Sequence, residues 1–255
     1  MGCNPNHSGA GGDNECQDIR GWQNVSLTDL LSRSAPFAQS ECYVYTVKTT
    51  RRLSDGSVCQ SGSGPNLEGS LATLCTCMHH MRLGRTERDW PNTWVVGLTS
   101  TDKSSGFGEC HYLFYVMRVQ RVFRTHKELF EFLAKEYPSA LAVKLAHKNR
   151  RGDVFRPRTG ITDGSWSSPT MYLPPVPNHT HCKVEGSTKW HRDVSSQGDE
   201  GKRTSIPLLV GDPQMTFVWN RPTIRYRGER GVRRKKFGTL AELLGCLECL
   251  RDENM

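Results

Sequence analysis

The stretch CHYLFYVMRVQRVF, Cys110 to Phe123, is the strongest strand signal in the chain and decides how the rest is read. Aromatic and β-branched residues crowd it, the side chains that suit a pleated, buried surface. Just before it, TWVVGLTS (Thr93 to Ser100) is a shorter β-branched run, and the glycine-bearing loop TDKSSGFGE joins the two. Strand, turn and strand in that order specify an antiparallel pair. Everything else has to pack on that pair.

Working outward, Thr125 and Glu128 form a Thr-x-x-Glu capping box ahead of LFEFLAKEY. There Leu129, Phe130, Leu133 and Tyr137 recur at helical spacing until Pro138 stops them. Upstream, CYVYTVKTT alternates Cys42, Val44 and Thr46 with Tyr43, Tyr45 and Val47, the period of a strand. SLTDLLSR starts a short helix capped at Ser26 with Asp29. Residues 1–24 are rich in Gly, Asn and Asp without periodicity, which predicts a disordered arm. Residues 148–202 are poor in aliphatics yet hold Trp166, Tyr172, Trp190 and several histidines, so they are expected to be a long irregular insertion, either functional or disordered and too aromatic for a pure linker. Two strands then return, IPLLVG and QMTFVW, and TLAELLGCLECL reads as a capped helix striped by Leu240, Leu243, Leu244, Leu247 and Leu250. No internal repeat is visible. The sum is an α+β chain on a small, mostly antiparallel curved sheet or pseudo-barrel with flanking helices. Its divisions are an arm at 1–40 with a short helix, a main domain at 41–226, and a basic segment with a C-terminal helix at 227–255.

A chain of 255 residues can bury a core without staples. Apolar content of 36% and a mean hydropathy of -0.58 indicate that part of it is not packed. No run approaches the roughly 18 apolar residues of a membrane span. The opening MGCNPNHSGAGG has no apolar core for a signal peptide, and Asn6 stands where a myristoylation pattern needs Ser or Thr. The expected setting is therefore inside a cell, nucleus or cytoplasm, with the ten cysteines reduced. Charge is the sharper signal. RPTIRYRGERGVRRKK, Arg221 to Lys236, holds eight basic residues and one acidic, against a net charge of +8 for the whole chain. Such a block draws a polyanion by counterion release, without reading sequence. Arg227, Arg230, Arg233, Arg234, Lys235 and Lys236 are the phosphate-binding candidates.

The segments CYVYTV, GSLATLCTCMHHMR, WVVG and HYLFYVMRVQRV, in that order, resemble the second nucleotide-modification-associated domain family. The matching positions are Leu71, Cys77, Arg82, Trp94, Gly97, Tyr115, Met117, Arg118 and Val119. DVFRP, GSW and IPLLVGDPQMTFVW extend the resemblance through Asp153, Trp166 and Phe217, so that it spans Cys42 to Trp219. Met78-His79 replaces the family's Lys-Pro, and Asn92-Thr93 its Gly-Asp. The resemblance implies a PUA-like domain over 41–226, related to the PUA-, ASCH- and EVE-type barrels that read unusual bases. It also implies a partner that is nucleic acid, DNA ahead of RNA, or a nucleotide.

LCTCMHH, Leu74 to His80, raises a separate question. If extended, it projects Cys75, Cys77 and His79 from one face. Adjacent ligands on a straight strand splay apart, and the second pair, Cys246 and Cys249, sits beside a leucine stripe, so no metal and no cofactor is expected. The preferred reading puts Thr73 and Cys77 on a pocket wall, with Arg82 as a charge-assisted donor. Tyr45, Trp94 and Trp166 are the stacking candidates for an extruded base. Arg118, costly to bury unpaired, faces solvent, pairs with an acid such as Asp153, or meets the ligand. The resulting function is recognition of a modified base or nucleotide in the barrel pocket, with the basic flank on phosphates. Two alternatives remain open: an enzyme using Cys77, His79 or Asp153 on a nucleotide or base, and a protein-interaction scaffold with a basic localisation signal.

Overall fold

The computed structural model describes residues 16–19, 21–22, 24–61, 64–146, 154–161, 164, 166–174, 188–197, 203–229, 232 and 234–249. In chain order the helices are α1 (Leu27–Ser34), α2 (His79–Leu83), α3 (His126–Glu136), α4 (Pro138–Leu145), α5 (His191–Val194) and α6 (Leu240–Leu244). The first six strands are β1 (Cys42–Val47), β2 (Thr50–Arg52), β3 (Val58–Gln60), β4 (Thr73–Leu74), β5 (Trp94–Thr99) and β6 (His111–Phe123). The others are β7 (Ser195–Gln197), β8 (Arg203–Ser205), β9 (Leu208–Val218), β10 (Ile224–Tyr226), β11 (Lys235–Phe237) and β12 (Leu247–Cys249).

The 13-residue strand β6 is the axis of the sheet. β5 lies antiparallel on one edge, from Trp94 opposite Arg118 to Leu98 opposite Leu113. The other edge is shared: β9 pairs with Tyr115 to Phe123, and β10 with His111 and Tyr112. β1 runs parallel to β5, Cys42 beside Trp94, and is in turn edged by β11. Parallel neighbours need a long crossover, and residues 48–93 supply it with the β2–β3 hairpin, β4 and α2. Register shifts at Gly97/Leu98 and between Met117 and Arg121 bend the strands, as bulges do. The result is an α+β fold on a curled, mostly antiparallel half-barrel.

Both faces of the sheet are covered. Tyr43, Tyr45, Val95, Tyr115 and Met117 point to one side, with Leu74, Met81 and Trp90. Cys42, Val44, Trp94, Val96 and Val116 point to the other, where α1 and α6 bring Leu30, Leu240 and Leu243. A third cluster joins α3 and α4 to Leu71, Cys75, Leu208 and Val210. Gly97 makes the first packing possible, because a Cβ there would stand 2.2 Å from the Tyr115 ring and 2.8 Å from a Val47 methyl.

The caps stand as read from sequence: Ser26 accepts from the Asp29 amide, and Thr125 with Glu128 closes a full capping box. Other expectations are corrected. IPLLVG and QMTFVW belong to one strand, β9, interrupted by a bulge where the Thr216 hydroxyl donates to the Asp212 carbonyl at 2.7 Å. The terminal leucine stripe is helical only as far as Leu244, since Gly245 caps it and Leu247–Cys249 leaves as a strand on β10. LCTCMHH is not extended: β4 ends at Leu74, and Met78, at φ 56°, turns the chain into α2. The arm is packed from Cys16. A disulfide joins Cys16 to Cys59, whose Cα atoms are 5.1 Å apart, so this pair departs from the reduced state expected. Gln17 bonds the Pro65 carbonyl and the Leu67 amide, and Ile19 is buried. Among the described residues no helix is long and apolar enough to cross a membrane.

Gly97→Ala should lower stability by about 1–3 kcal/mol by forcing Tyr115 aside. A fall in the urea midpoint at unchanged slope is the expected readout.

Candidate functional site

The segment after β4 is held by Arg82, which has no exposed surface. Its Nε donates to the Cys77 carbonyl at 2.8 Å, Nη2 to Cys75 at 2.7 Å and Nη1 to Pro207 at 2.5 Å. Arg82 is thus a clamp that fixes the Cys75–Cys77 turn against the start of β9, and its guanidinium is turned inward rather than towards a phosphate. Thr73 is likewise interior, on β4 opposite Val210.

Cys77 is half-buried where that turn meets the sheet. Its thiol hydrogen-bonds Tyr45, whose hydroxyl also accepts from Tyr115 at 2.9 Å. Burial is the main cause that pushes both phenols well above their ordinary ionisation range. Trp94 does not join this group. Adjacent residues on a strand face opposite ways, and the side chain of Trp94 belongs to the far side of the sheet, its indole donating to the Phe37 carbonyl. Arg118 lies over the Phe37 ring, 3.9 Å from its centroid, and pairs with Asp212 at 3.2 Å and with the Asn92 side chain. Its acid is Asp212; Asp153 lies outside the described residues.

Described residues of the insertion, Phe155 and Asp193 among them, pack on α2 and α3. His79 Nε2 meets the fully buried carboxylate of Asp193 at 3.3 Å. His126 Nε2 donates to the Asp193 carbonyl at 3.3 Å, while its Nδ1 accepts from the Phe155 amide at 3.4 Å. Around them Phe155, Tyr172, Trp190 and Val194 form a small core of their own, with Trp166 packed at its side. Trp166 has φ 53°, a left-handed conformation rare for an aromatic residue. The Tyr172 hydroxyl donates to its carbonyl at 2.7 Å, and Lys127 Nζ stands 5.4 Å from its ring. An imidazole oriented by a buried acid is what general-base chemistry needs. In this chain that acid is Asp193, which the sequence reading did not select; HRDV in a polar segment gave no signal for it. Among the described residues no group of three or more His, Cys, Asp or Glu could hold a metal ion.

The basic block is built into the sheet. Lys235 and Lys236 lie on β11, opposite Val44 and Tyr43, and both are exposed with Arg234. Lys236 and Arg85 each reach Glu41 at 2.5 Å and stand near the Tyr43 ring. The Lys236 hydrogen bond, more than any other contact, holds the Glu41 carboxyl below its ordinary range. Arg227 is engaged by Glu248. Arg230 and Arg233 lie outside the described residues. Comparison with protein-family models, with curated proteins and with solved structures finds no match.

Arg82→Met should cost about 3–5 kcal/mol, because buried carbonyls lose a charged donor; denaturant unfolding measures it. Burial pushes Tyr172 up to about 12. An acid held neutral in the fold stabilises below its unfolded value near 10, and that stability is lost as pH rises through about 12. Unfolding midpoints of the native chain should therefore fall more steeply from pH 10 to 12 than those of Tyr172→Phe.

Proposed function

We propose that this chain is a nucleic-acid-associated module that recognises a modified base or nucleotide while its cationic sheet edge holds the phosphates. The observation that carries this is the placement of Arg234, Lys235 and Lys236, which are exposed on or beside β11. A strand paired to the core sheet presents its cations at fixed spacing, whereas a tail would have to be ordered on binding. The exposed ammonium groups supply a sequence-independent attraction. The base-reading half draws on the resemblance of Cys42 to Trp219 to the nucleotide-modification-associated family. DNA is the first partner to test.

Lys235→Glu combined with Lys236→Glu should weaken oligonucleotide binding uniformly across sequences. It should also reduce the slope of log K against log salt by about two. Fluorescence anisotropy over a salt series measures both; an unchanged slope would remove β11 from the interface.

A further inference from the structure

The described part of the arm, residues 16–19 and 21–22, is strapped across one loop. The Gln17 amide donates to the Gln60 carbonyl at 3.2 Å. Its side chain donates to the Pro65 carbonyl at 2.6 Å and accepts from the Leu67 amide at 2.7 Å. The Asp18 amide donates to a Glu68 carboxylate oxygen at 3.1 Å, and the Trp22 indole to the Leu67 carbonyl at 2.7 Å. Ile19 is buried in the cluster that holds Leu67 and Tyr45. Next to these contacts, the Cys16–Cys59 disulfide ties the strap down covalently.

The loop has a second set of anchors that does not involve the strap. Asn66 exchanges both backbone hydrogen bonds with Thr73, at 2.8 and 2.9 Å. The ammonium of Lys144, a buried residue of α4, donates to the Asn66 carbonyl and to its side-chain oxygen, each at 3.0 Å. The strap can therefore leave while the loop stays on β4 and α4. Folded chains open locally in such units, and a segment held by a few peripheral hydrogen bonds opens before the core does. The covalent bond, which closes a separation of 43 residues, is what opposes that opening most.

The surroundings of the bond make it reactive. Cys59 is fully buried and Cys16 only half-buried, so an incoming thiolate meets Cys16 Sγ. Arg51 stands directly opposite Cys59 in the β2–β3 ladder, and its Nη2 lies 3.9 Å from Cys16 Sγ. A cation beside a sulfur favours the thiolate and makes it the better leaving group.

We propose that the Cys16–Cys59 disulfide is a redox latch, opened by a dithiol with Arg51 steadying the departing thiolate, whose opening frees the strap while the sheet stays folded. One thiolate of the dithiol attacks Cys16 Sγ, the Cys16–Cys59 bond breaks, and its electron pair leaves on Cys59. The second thiol, deprotonated, attacks its partner sulfur in the mixed disulfide, and Cys16 leaves with that electron pair. Two electrons have passed from the dithiol, which ends as a disulfide, and two protons return the cysteines to thiols. The device is independent of the base-reading proposal.

The test uses the full chain and dithiothreitol. Before reduction, iodoacetamide should leave Cys16 and Cys59 unlabelled. After it, peptide mapping should find both alkylated, at reductant concentrations that leave the far-ultraviolet circular dichroism unaltered. Hydrogen exchange resolved to single amides is the second readout. On reduction the Asp18 and Leu67 amides, which donate across the strap contact, should exchange about tenfold faster or more. The Asn66 and Thr73 amides, and those of Val116 and Met117 on β6, should keep their protection. Cys16→Ser combined with Cys59→Ser should show the reduced pattern with or without dithiothreitol. Arg51→Met should slow reduction severalfold, and Arg51→Lys, which keeps the charge, should restore most of the rate. Reduction only after global unfolding, an unaltered Leu67 amide in the reduced chain, or equal reduction rates in the native chain and Arg51→Met would overturn the proposal. So would a loss of protection that spreads to β6, since the bond would then be a staple of the core.

Discussion

The fold depends on one constraint: from Leu113 to Met117, β6 is buried and apolar on both faces and paired along both edges. A strand in that position leaves no backbone group for water, so its neighbours must supply every partner. β5 can do so along one edge. The other edge is too long and too bent for a single partner, and β9 and β10 divide it. The bulges that let them do so also curl the sheet. One face of the curled sheet is filled by Tyr45, Tyr115 and the residues after β4. The Arg82 clamp and the absence of a side chain at Gly97 both follow from that filling.

This also shows which parts of the fold were legible. Local rules were: the β5–β6 pair, the Ser26 cap and the Thr125–Glu128 box each depend on residues within a few positions of one another. What the sequence hid was set by tertiary partners. Nothing local distinguishes a parallel β1–β5 pair from an antiparallel one. Leu247 continues the stripe of α6 perfectly well, yet pairing with Tyr226 draws it into β12. Cys16 sits among polar residues, and its disulfide depends on Cys59, brought near by the β2–β3 hairpin.

The candidate site divides in the same way. Residue types were readable, facing was not. Tyr45 and Trp94 are both aromatic and both on core strands, but the β1–β5 register sends them to opposite sides. Arg118 needed an acid, and the bulge of β9 brought Asp212, which lies 94 positions away. Trp166 was expected to act in a loop; it belongs to the aromatic cluster that seats the insertion on His79 and His126, through Asp193.

The basic block is where these two kinds of information meet. Its charge was plain in the sequence, and a bland account exists for part of it: lysines on an edge strand deter pairing with another sheet. That account suits Lys235 and Lys236 on β11. It does not reach Arg225 and Tyr226, which lie on β10 between β6 and β12, where there is no free edge to protect. Nor does packing explain them, since an apolar residue could fill the place of Tyr226 without burying an unpaired hydroxyl. The one block is therefore two devices: an outer strand, β11, that meets solvent with charge, and an inner strand, β10, that is held between β6 and β12.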